Sequence, residues 1–246
     1  MAFDSAANIG SAFSTTANQA SLVMTLSVAA NVNNLVVLLI AVDNAQTTTG
    51  PSTAVSGVTS SVANTWTRAV GFANAPGGVA QGGADISVWY SRISTQIPSA
   101  GTITATFANA ALADATAMVG TKWSVLDQVE IAATNTRADT AAVMGSLDAT
   151  TINVECLRVR AVASESNVNA FLVVTAGWTR FGTGLSGAGT SDTEMAVRGE
   201  WRVSTGTSDP SIPTAGAGVC DHASAYVAFK EAVSYTHLTL PTILRV

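Results

Sequence analysis

The residues that could catalyse a reaction are few and thinly spread along the chain. Only two histidines occur, and His222 stands beside Asp221 and Cys220, a grouping that could suggest a Cys/His pair. Because His222 opens a predicted terminal strand, we expect a structural or solvated role for it. The sequence therefore offers almost no material for a histidine-based zinc site or a Ser-His-Asp triad.

Acidic residues provide a second possible chemistry, because glycosidases use a pair of carboxylates. Glu194 and Glu200 have even spacing on one predicted strand and could share a face, and Glu155 and Glu165 form another pair. We expect Glu194 and Glu200 to face solvent or to pair with Arg198 and Arg202, either cross-strand or along the strand. No catalytic residue is assigned, and the protein is predicted not to be an enzyme.

Loop residues give weak signals for bound ions or nucleotides. Asp127, Asp192 and Asp209 lie at predicted strand ends or in loops, where a structural calcium ion could bind; no other metal or cofactor is expected. The segment Gly182–Gly187 matches G-x-G-x-x-G, but a dinucleotide site needs a helix directly after this motif. The residues that follow do not favour a helix, so we interpret the motif as a flexible loop.

The five tryptophans are better candidates for ligand contact, because an aromatic ring can stack on a sugar. All of them lie in predicted strands, where a large aromatic side chain usually fills the space between sheets. We expect core packing for Trp66, Trp89 and Trp123. Trp178 and Trp201 lie nearer to glycine-rich loops, and they are the candidate ligand-binding residues.

The element that must position these side chains is Leu35–Val42, a run of eight apolar residues. The run is too short to cross a bilayer, which takes about 20 residues, and it lacks helix start and stop signals. We predict a strand in the middle of a sheet, buried on both faces.

Short strands and turn signals alternate along the rest of the chain, at intervals of roughly 8–12 residues. The predicted fold class is therefore all-β: an antiparallel two-sheet sandwich, jelly-roll-like, with about ten or eleven strands and little helix. Candidate recognition loops are Gln46–Ala54, Asn74–Gly83, Gly182–Ser191 and Gly206–Gly218. The other predicted strands are Ala2–Ala7, Ser21–Val28, a hairpin of Val55–Val62 and Thr65–Phe72, Asp85–Ile93, Thr102–Phe107, Ala115–Val125, Thr150–Val154, Leu157–Ala163, Phe171–Phe181, Glu194–Ser204 and Ala223–Lys230.

The composition limits the partners and the compartment. Only 11% of the residues are charged, against about 25% in an average domain, and the net charge is −5. The arginines are scattered along the sequence, so we expect no nucleic-acid partner, since phosphate binding needs clustered Lys and Arg.

Met1–Asp4 lacks the positive start of a secretory leader. Cys156 and Cys220 are too few for a disulfide framework, and two free buried thiols are favoured over one bridge.

Five short motifs carry a resemblance. With the Ala-Phe-Asp start, they resemble β-sandwich domains of tailed-phage structural proteins and of large bacterial surface proteins. The resemblance covers Ala2–Ala232, implies a jelly-roll-like domain for assembly or attachment, and supplies no catalytic residues; the missing leader favours the phage side. In chain order the motifs are Asn64–Arg68 (NTWTR), Ile86–Tyr90 (ISVWY), Gly101–Thr106 (GTITAT), Gly177–Thr179 (GWT) and Ala228–Lys230 (AFK).

The last fourteen residues need separate treatment. Val233–Thr242 resembles, residue for residue, one translated reading frame of a common sequencing adapter, as assembled environmental DNA can contain. We therefore expect a single β-sandwich domain at 1–232 and a non-native tail at 233–246 that is disordered or loosely packed.

These observations predict a non-enzymatic virion protein, either a structural or appendage component or a receptor-binding domain, assembled in the host cytoplasm. Its partners would be other virion proteins or a host-surface glycan, in multiple copies and without membrane insertion. The alternative is a carbohydrate-binding module of a bacterial extracellular surface protein. The least favoured alternative is a glycan hydrolase or lyase on a concanavalin-like sandwich.

Overall fold

Strand β3 (Asn34–Asp43) lies at the centre of the molecule, and all ten of its side chains are buried. It pairs antiparallel with β7 (Ala84–Arg92) on one side and with β9 (Thr116–Val125) on the other. Alternate residues of β3 belong to two different hydrophobic cores, as the alternation of side chains along a strand requires. The prediction of a central strand buried on both faces is confirmed.

The computed structural model describes residues 3–43, 48–75, 83–110, 113–139, 151, 154–165, 176–186, 194–207 and 221–232. These residues hold fourteen strands and no α-helix. The remaining strands are β1 (Phe3–Ser14), β2 (Ser21–Thr25), β4 (Gly50–Pro51), β5 (Val55–Ser60), β6 (Thr67–Asn74), β8 (Thr102–Phe107), β10 (Val129–Asp139), β11 (Cys156–Ser164), β12 (Thr179–Ser186), β13 (Met195–Ser204) and β14 (His222–Glu231).

The strands form three antiparallel sheets. The largest has six strands in the order β1-β9-β3-β7-β6-β4, the second has five in the order β10-β14-β11-β13-β12, and the third has three in the order β2-β8-β5. The six-stranded sheet is the middle layer, because one core joins it to the five-stranded sheet and another joins it to the three-stranded sheet.

Each core follows from the alternation of apolar residues along the strands. Leu35, Val37 and Leu39 pack with Val159 and Phe229 of the five-stranded sheet. The opposite face of β3 packs against β2 and β8 of the three-stranded sheet. A fully buried Leu, Ile or Val side chain stabilises the fold by roughly 1.5–3 kcal/mol. The predicted all-β antiparallel sandwich is confirmed, and the three-stranded sheet is a further layer that the sequence did not predict.

The layers follow the order of the chain. Residues 3–125 supply every strand of the six-stranded and three-stranded sheets, and residues 129–231 supply every strand of the five-stranded sheet. The two halves of the chain therefore meet across one shared core.

Five local predictions differ from the structure. The hairpin of Val55–Val62 and Thr65–Phe72 is wrong, because β5 pairs with β8 while β6 pairs with β7. Between β5 and β6 the carboxamide of Asn64 accepts hydrogen bonds from the backbone N–H groups of Ser94 and Thr95 (2.9 and 3.1 Å). This link ties the connection to the loop after β7, so the chain passes from one sheet to another.

The other four differences concern the presence of strands and their bounds. The expected short edge strand Ala2–Ala7 is the twelve-residue β1, and β10 lies in a stretch for which no strand was predicted. Gly182–Ser186, expected in a loop, forms most of β12 because it pairs with β13. Val154 and Thr151, from the predicted strand Thr150–Val154, lie outside any strand.

Several predictions fall on residues outside the described part of the chain. They include the tail 233–246, Cys220, Asp192 and Asp209. The same applies to Phe171–Thr175 of a predicted strand and to most of the candidate recognition loops: 46–47, 76–82, 187–191 and 208–218.

Candidate functional site

A cleft of about 280 Å³ lies between β1 and β12, which are edge strands of the two large sheets. Its lining combines aromatic, hydroxyl, amide and guanidinium groups, a set that suits a small polar ligand with an apolar face. The lining residues are Ala6, Ala7, Asn8, Thr121, Thr179, Arg180, Phe181, Gly182 and Trp201.

Irregularities in both edge strands shape this cleft. Relative to β9, β1 shifts register twice, between Asp4 and Ala7 and between Asn8 and Gly10. Opposite β13, β12 shifts register between Arg180 and Gly182. Such bulges bend an edge strand and re-aim its side chains, and all three register shifts fall at or beside residues that line the cleft.

At one boundary of the cleft the two edges touch. Gly182 has φ +133°, and a Cβ placed there would lie 2.5 Å from Asn8 Nδ2 and 2.5 Å from Val119 Cγ2. Only glycine adopts this conformation without strain and allows so close an approach.

Trp201 forms the aromatic wall of the cleft, and it is half-buried. Its ring meets the buried ring of Trp123 edge to face, with centroids 5.5 Å apart and planes at 83°. Trp123 in turn packs against Phe181, with centroids 5.6 Å apart. Aromatic pairs favour such tilted arrangements, so Trp201 is held in place from behind and presents its remaining surface to the cleft.

Polar groups surround this aromatic wall. The Thr121 hydroxyl donates to the Phe181 carbonyl oxygen at 2.7 Å, which ties the middle sheet to the edge of the five-stranded sheet. Asn8 Oδ1 accepts from the Gly10 N–H at 2.8 Å, which leaves the Nδ2 group as a donor. Thr179 and Arg180 are exposed at the rim.

Trp178, the second predicted ligand-binding residue, does not line this cleft. It is 6% exposed, and the Arg160 guanidinium carbon lies 4.0 Å from its ring centroid. The guanidinium carbon of Arg202 lies 5.3 Å away. Guanidinium groups are attracted to the face of an indole ring, so Trp178 contributes to packing on the outer side of the sheet. Its proposed role in ligand binding stays a prediction.

The outer face of the five-stranded sheet gathers arginines that are scattered in the sequence. Register places six of the nine arginines on the face turned away from the core. The guanidinium of Arg160 bonds Glu200 on the neighbouring strand, so this cross-strand partner is Arg160, whereas the expected partners are Arg198 and Arg202. The six are Arg137, Arg158, Arg160, Arg180, Arg198 and Arg202.

Two of these arginines are buried. Arg158 donates to the Tyr226 hydroxyl (2.9 Å), to Thr151 Oγ1 (2.8 Å) and to the Gly206 carbonyl oxygen. Since a guanidinium stays protonated in proteins, these acceptors are what make its burial tolerable. Arg158 and Arg160 therefore serve the architecture, while Arg137 and Arg180 on the outermost strands are exposed.

The remaining catalytic candidates are dispersed. Glu194 is buried, which excludes the solvent-facing one of its two expected arrangements, and His222 is buried at the start of β14. The Gly83 N–H donates to Glu165 Oε1 at 2.6 Å. Burial raises the pKa of the neighbouring Asp221, which the hydrogen bond with Glu165 partly offsets. Cys156 is a buried free thiol, and burial raises its pKa.

The described residues contain no group of three or more His, Cys, Asp or Glu side chains placed to hold a metal ion. Asp127, one of the three calcium candidates, accepts from the Gln128 N–H at 2.7 Å. The calcium site stays a prediction.

A buried carboxylic acid stands apart from the cleft, in the other core. Asp85 on β7 accepts a hydrogen bond from the Ser52 hydroxyl at 2.6 Å. Burial raises its pKa to about 7, against the lowering effects of that hydrogen bond and of the Arg68 charge. Asp85 is therefore a group whose protonation changes near neutral pH inside the fold.

Trp201, a ligand-binding candidate from the sequence, lines the cleft, whereas its neighbours there were not predicted. Asn8 stands 171 residues and Thr121 58 residues before the start of β12 at Thr179, and their meeting depends on how the two large sheets stack. The one local signal is Gly10 in a Ser/Thr/Asn-rich segment, since an isolated glycine in a strand often marks a bulge.

Comparison with protein-family models, curated proteins and solved structures gave no match. Across the described residues, no helix has the length and hydrophobicity that a membrane crossing requires.

Proposed function

We propose that the protein is a non-enzymatic recognition domain that binds a saccharide in the cleft beside Trp201. The observation that carries the proposal is the half-buried indole of Trp201 in the wall of a small cleft. A sugar ring has an apolar face that stacks on an aromatic ring and hydroxyl groups that need hydrogen-bond partners. Trp201 supplies the aromatic ring. Asn8, Thr179 and Arg180 supply the hydrogen-bond partners.

The rigidity of the cleft supports this function. Trp201 rests on Trp123 in the core, and the Thr121–Phe181 hydrogen bond fixes the two sheets beside it. A site built on strands orders few side chains when it binds, so little conformational entropy is lost. A single small cleft binds weakly, and several copies on one particle would raise the overall avidity.

We place this domain in a tailed-phage virion, as an appendage or receptor-binding component that contacts other virion proteins and a host-surface glycan. The order of the five sequence motifs supports that placement. A carbohydrate-binding module of a bacterial extracellular surface protein is the alternative, because the same cleft would serve it equally well. The genes adjoining this one distinguish the two: tail or capsid genes favour the virion, and a linked enzyme or fibronectin-like domain favours the surface protein.

Binding rather than hydrolysis is proposed because glycoside hydrolysis by the usual route uses two carboxylic acids across the scissile bond. The described residues that line the cleft include no carboxylate.

The test is a glycan array followed by titration calorimetry with the saccharides that bind. Trp201→Leu keeps an apolar side chain against Trp123 but removes the stacking surface. We expect saccharide affinity to fall at least tenfold, consistent with a stacking contribution of about 1–3 kcal/mol. Asn8→Ala at the exposed edge should weaken binding less, by about fivefold, as loss of one hydrogen bond predicts.

Trp66→Leu is the matched control. Trp66 is also half-buried, but it packs on the other face of the middle sheet, so binding should be unchanged. The proposal fails if no saccharide binds to the folded protein, or if Trp201→Leu and Trp66→Leu bind as tightly as the parent.

A further inference from the structure

The cleft between β1 and β12 is closed at one end. There Gly182 of β12 lies against the other two strands: a Cβ added to it would stand 2.5 Å from Asn8 Nδ2 and 2.5 Å from Val119 Cγ2. Two residues further along β12, a Cβ on Gly184 would stand 3.2 Å from the Met118 carbonyl oxygen. Beyond Asn8, β12 therefore lies directly against β9, and the space between them is too narrow for a sugar ring.

Glycines produce this closure, because they let two backbones approach closely. Gly199 of β13 pairs with Gly182, and a Cβ on Gly199 would clash with Leu39 Cδ1 of the middle sheet. At the aromatic wall the contact between the same two sheets is instead made by the rings of Trp201 and Trp123. Small residues thus form the closed end, and large rings form the part of the cleft that a ligand can enter.

The open end of the cleft lies between Ala6 on β1 and Thr179 on β12. Both residues line the cleft, and both are small and exposed. The floor is closed, because the buried Thr121 hydroxyl donates to the carbonyl oxygen of the buried Phe181 at 2.7 Å. A ligand therefore enters and leaves past Ala6 and Thr179.

The size of the cleft agrees with a single sugar ring. Its volume of about 280 Å³ lies at the lower limit of small-molecule pockets, which span roughly 300–1,000 Å³. Of the two aromatic residues that line it, Phe181 is buried and Trp201 is half-buried, so the described lining offers one ring for stacking. Several sugars in a row would need a longer cleft with more such rings.

We infer, on the basis of the saccharide-binding function above, that the cleft recognises the terminal sugar of a glycan chain. A sugar within a chain is linked to a neighbour on both sides, and a cleft with one open end leaves an exit for only one of them. The terminal ring lies on Trp201, and the chain leaves past Ala6 and Thr179. Asn8 Nδ2, at the closed end, donates to a hydroxyl that is free only in a terminal sugar.

Titration calorimetry with oligosaccharides of increasing length tests this inference. The probes are glucose, galactose, mannose, rhamnose and N-acetylglucosamine, each as the monosaccharide and as homo-oligomers of two to six units. Within a series that binds, we expect the affinity to vary by less than about threefold with length, because the added units stay outside the cleft and make no new contacts. One protein molecule should bind per chain at every length.

A matched pair of variants on β1 tests the direction in which the chain leaves. Ala6→Leu narrows the open end, so it should weaken the binding of the hexasaccharide about fivefold more than that of the monosaccharide. Ser11→Leu is the control, because Ser11 is also exposed on β1 but lies opposite Val119, beyond the closed end. That variant should bind every probe as the parent does. Since both positions are exposed, neither substitution removes a buried contact.

The outcomes separate this inference from the proposed function. If the affinity rises about tenfold or more with chain length, or if several protein molecules bind along one hexasaccharide, terminal recognition is overturned while saccharide binding stands. The same holds if Ser11→Leu weakens hexasaccharide binding as much as Ala6→Leu does, or if Ala6→Leu weakens the binding of all lengths equally. If no saccharide binds to the folded protein, the proposed function fails and this inference fails with it.

Discussion

Trp201 stands edge-on against Trp123, with ring centroids 5.5 Å apart, and this contact joins the candidate cleft to the core. Trp123 is fully buried in the middle sheet and Trp201 lies in the five-stranded sheet. The position of the aromatic wall therefore depends on the packing between sheets, and changes in that packing should alter both stability and binding.

The first prediction concerns Trp123 itself. Trp123→Ala should lower the free energy of unfolding by about 3–5 kcal/mol, as truncation of a large buried aromatic side chain does, and should also weaken saccharide binding because Trp201 loses its support. Urea denaturation and calorimetry measure the two effects. Trp66→Ala, in the other core, should reduce stability without changing binding. Equal binding by Trp123→Ala would show that the cleft is independent of this contact.

The second prediction concerns the pH dependence of stability. In the unfolded chain Asp85 ionises with the ordinary pKa of 3.8, whereas in the folded protein its pKa is about 7. The folded state therefore binds the proton more tightly, and this contribution to stability is complete below about pH 4 and is lost as the pH rises to 7. The loss amounts to roughly 3–4 kcal/mol.

Asp85→Asn tests this dependence, because the amide stays neutral and still accepts from Ser52. At pH 8 the variant should be more stable than the parent in urea denaturation, and at pH 4.5 the two should differ by less than about 1 kcal/mol. Asp4→Asn, at an exposed carboxylate, is the control: the difference in its free energy of unfolding between pH 4.5 and pH 8 should equal that of the parent. If the free energy of unfolding depends on pH in the same way for Asp85→Asn and the parent, ionisation of Asp85 does not destabilise the folded protein.

The third prediction concerns Gly182. Gly182→Ala places a side chain in a positive-φ conformation and against Asn8 and Val119, so it should cost about 1–3 kcal/mol from backbone strain alone. It should also displace the β1 edge and weaken binding. Gly57→Ala is the control, since a Cβ at Gly57 meets nothing within 4 Å. A binding constant unaffected by Gly182→Ala would mean that the Asn8 edge does not shape the cleft.

The fourth prediction concerns the buried Arg158. Tyr226→Phe removes an acceptor at 2.9 Å from this guanidinium and should cost about 1–3 kcal/mol, the penalty for leaving a buried charged donor short of a partner. Tyr90→Phe should cost less than about 0.5 kcal/mol, because Tyr90 contributes its ring to an edge contact with Phe229. Chemical denaturation measures the free energy of unfolding of both variants. Equal losses in the two would show that the Tyr226 hydroxyl is not a significant hydrogen-bond partner of Arg158.

The sequence predicts most of the middle sheet because its strands have clear periodicity. Leu35–Val42 is continuous and apolar, and Asp85–Ile93 alternates Ile86 and Val88 against Ser87 and Trp89, as the register confirms. Core packing of Trp89 and Trp123 is also confirmed. These features follow from the pattern of apolar and polar residues within a single strand, which can be read directly from the sequence.

Strand partners and edges could not be predicted in the same way. Strand β10 has few large apolar residues and was missed, and β5 and β6 look like a hairpin although they belong to different sheets. The grouping of Arg137, Arg160 and Arg180 on one face depends on the register of all five strands of that sheet. Pairing between distant segments is decided by the total packing, and single-strand patterns do not encode it.

The division of the chain between layers has a consequence for biosynthesis. When the first 125 residues have left the ribosome, they can complete two of the three sheets, but the outer surface of β3, β7 and β9 still lacks the five strands that cover it. Until the second half is translated, the side chains of Leu35, Leu39 and Trp123 remain exposed and can contact other nascent chains or chaperones. Co-translational folding of the first half therefore produces a transient species prone to association, and arrival of the second half ends that exposure.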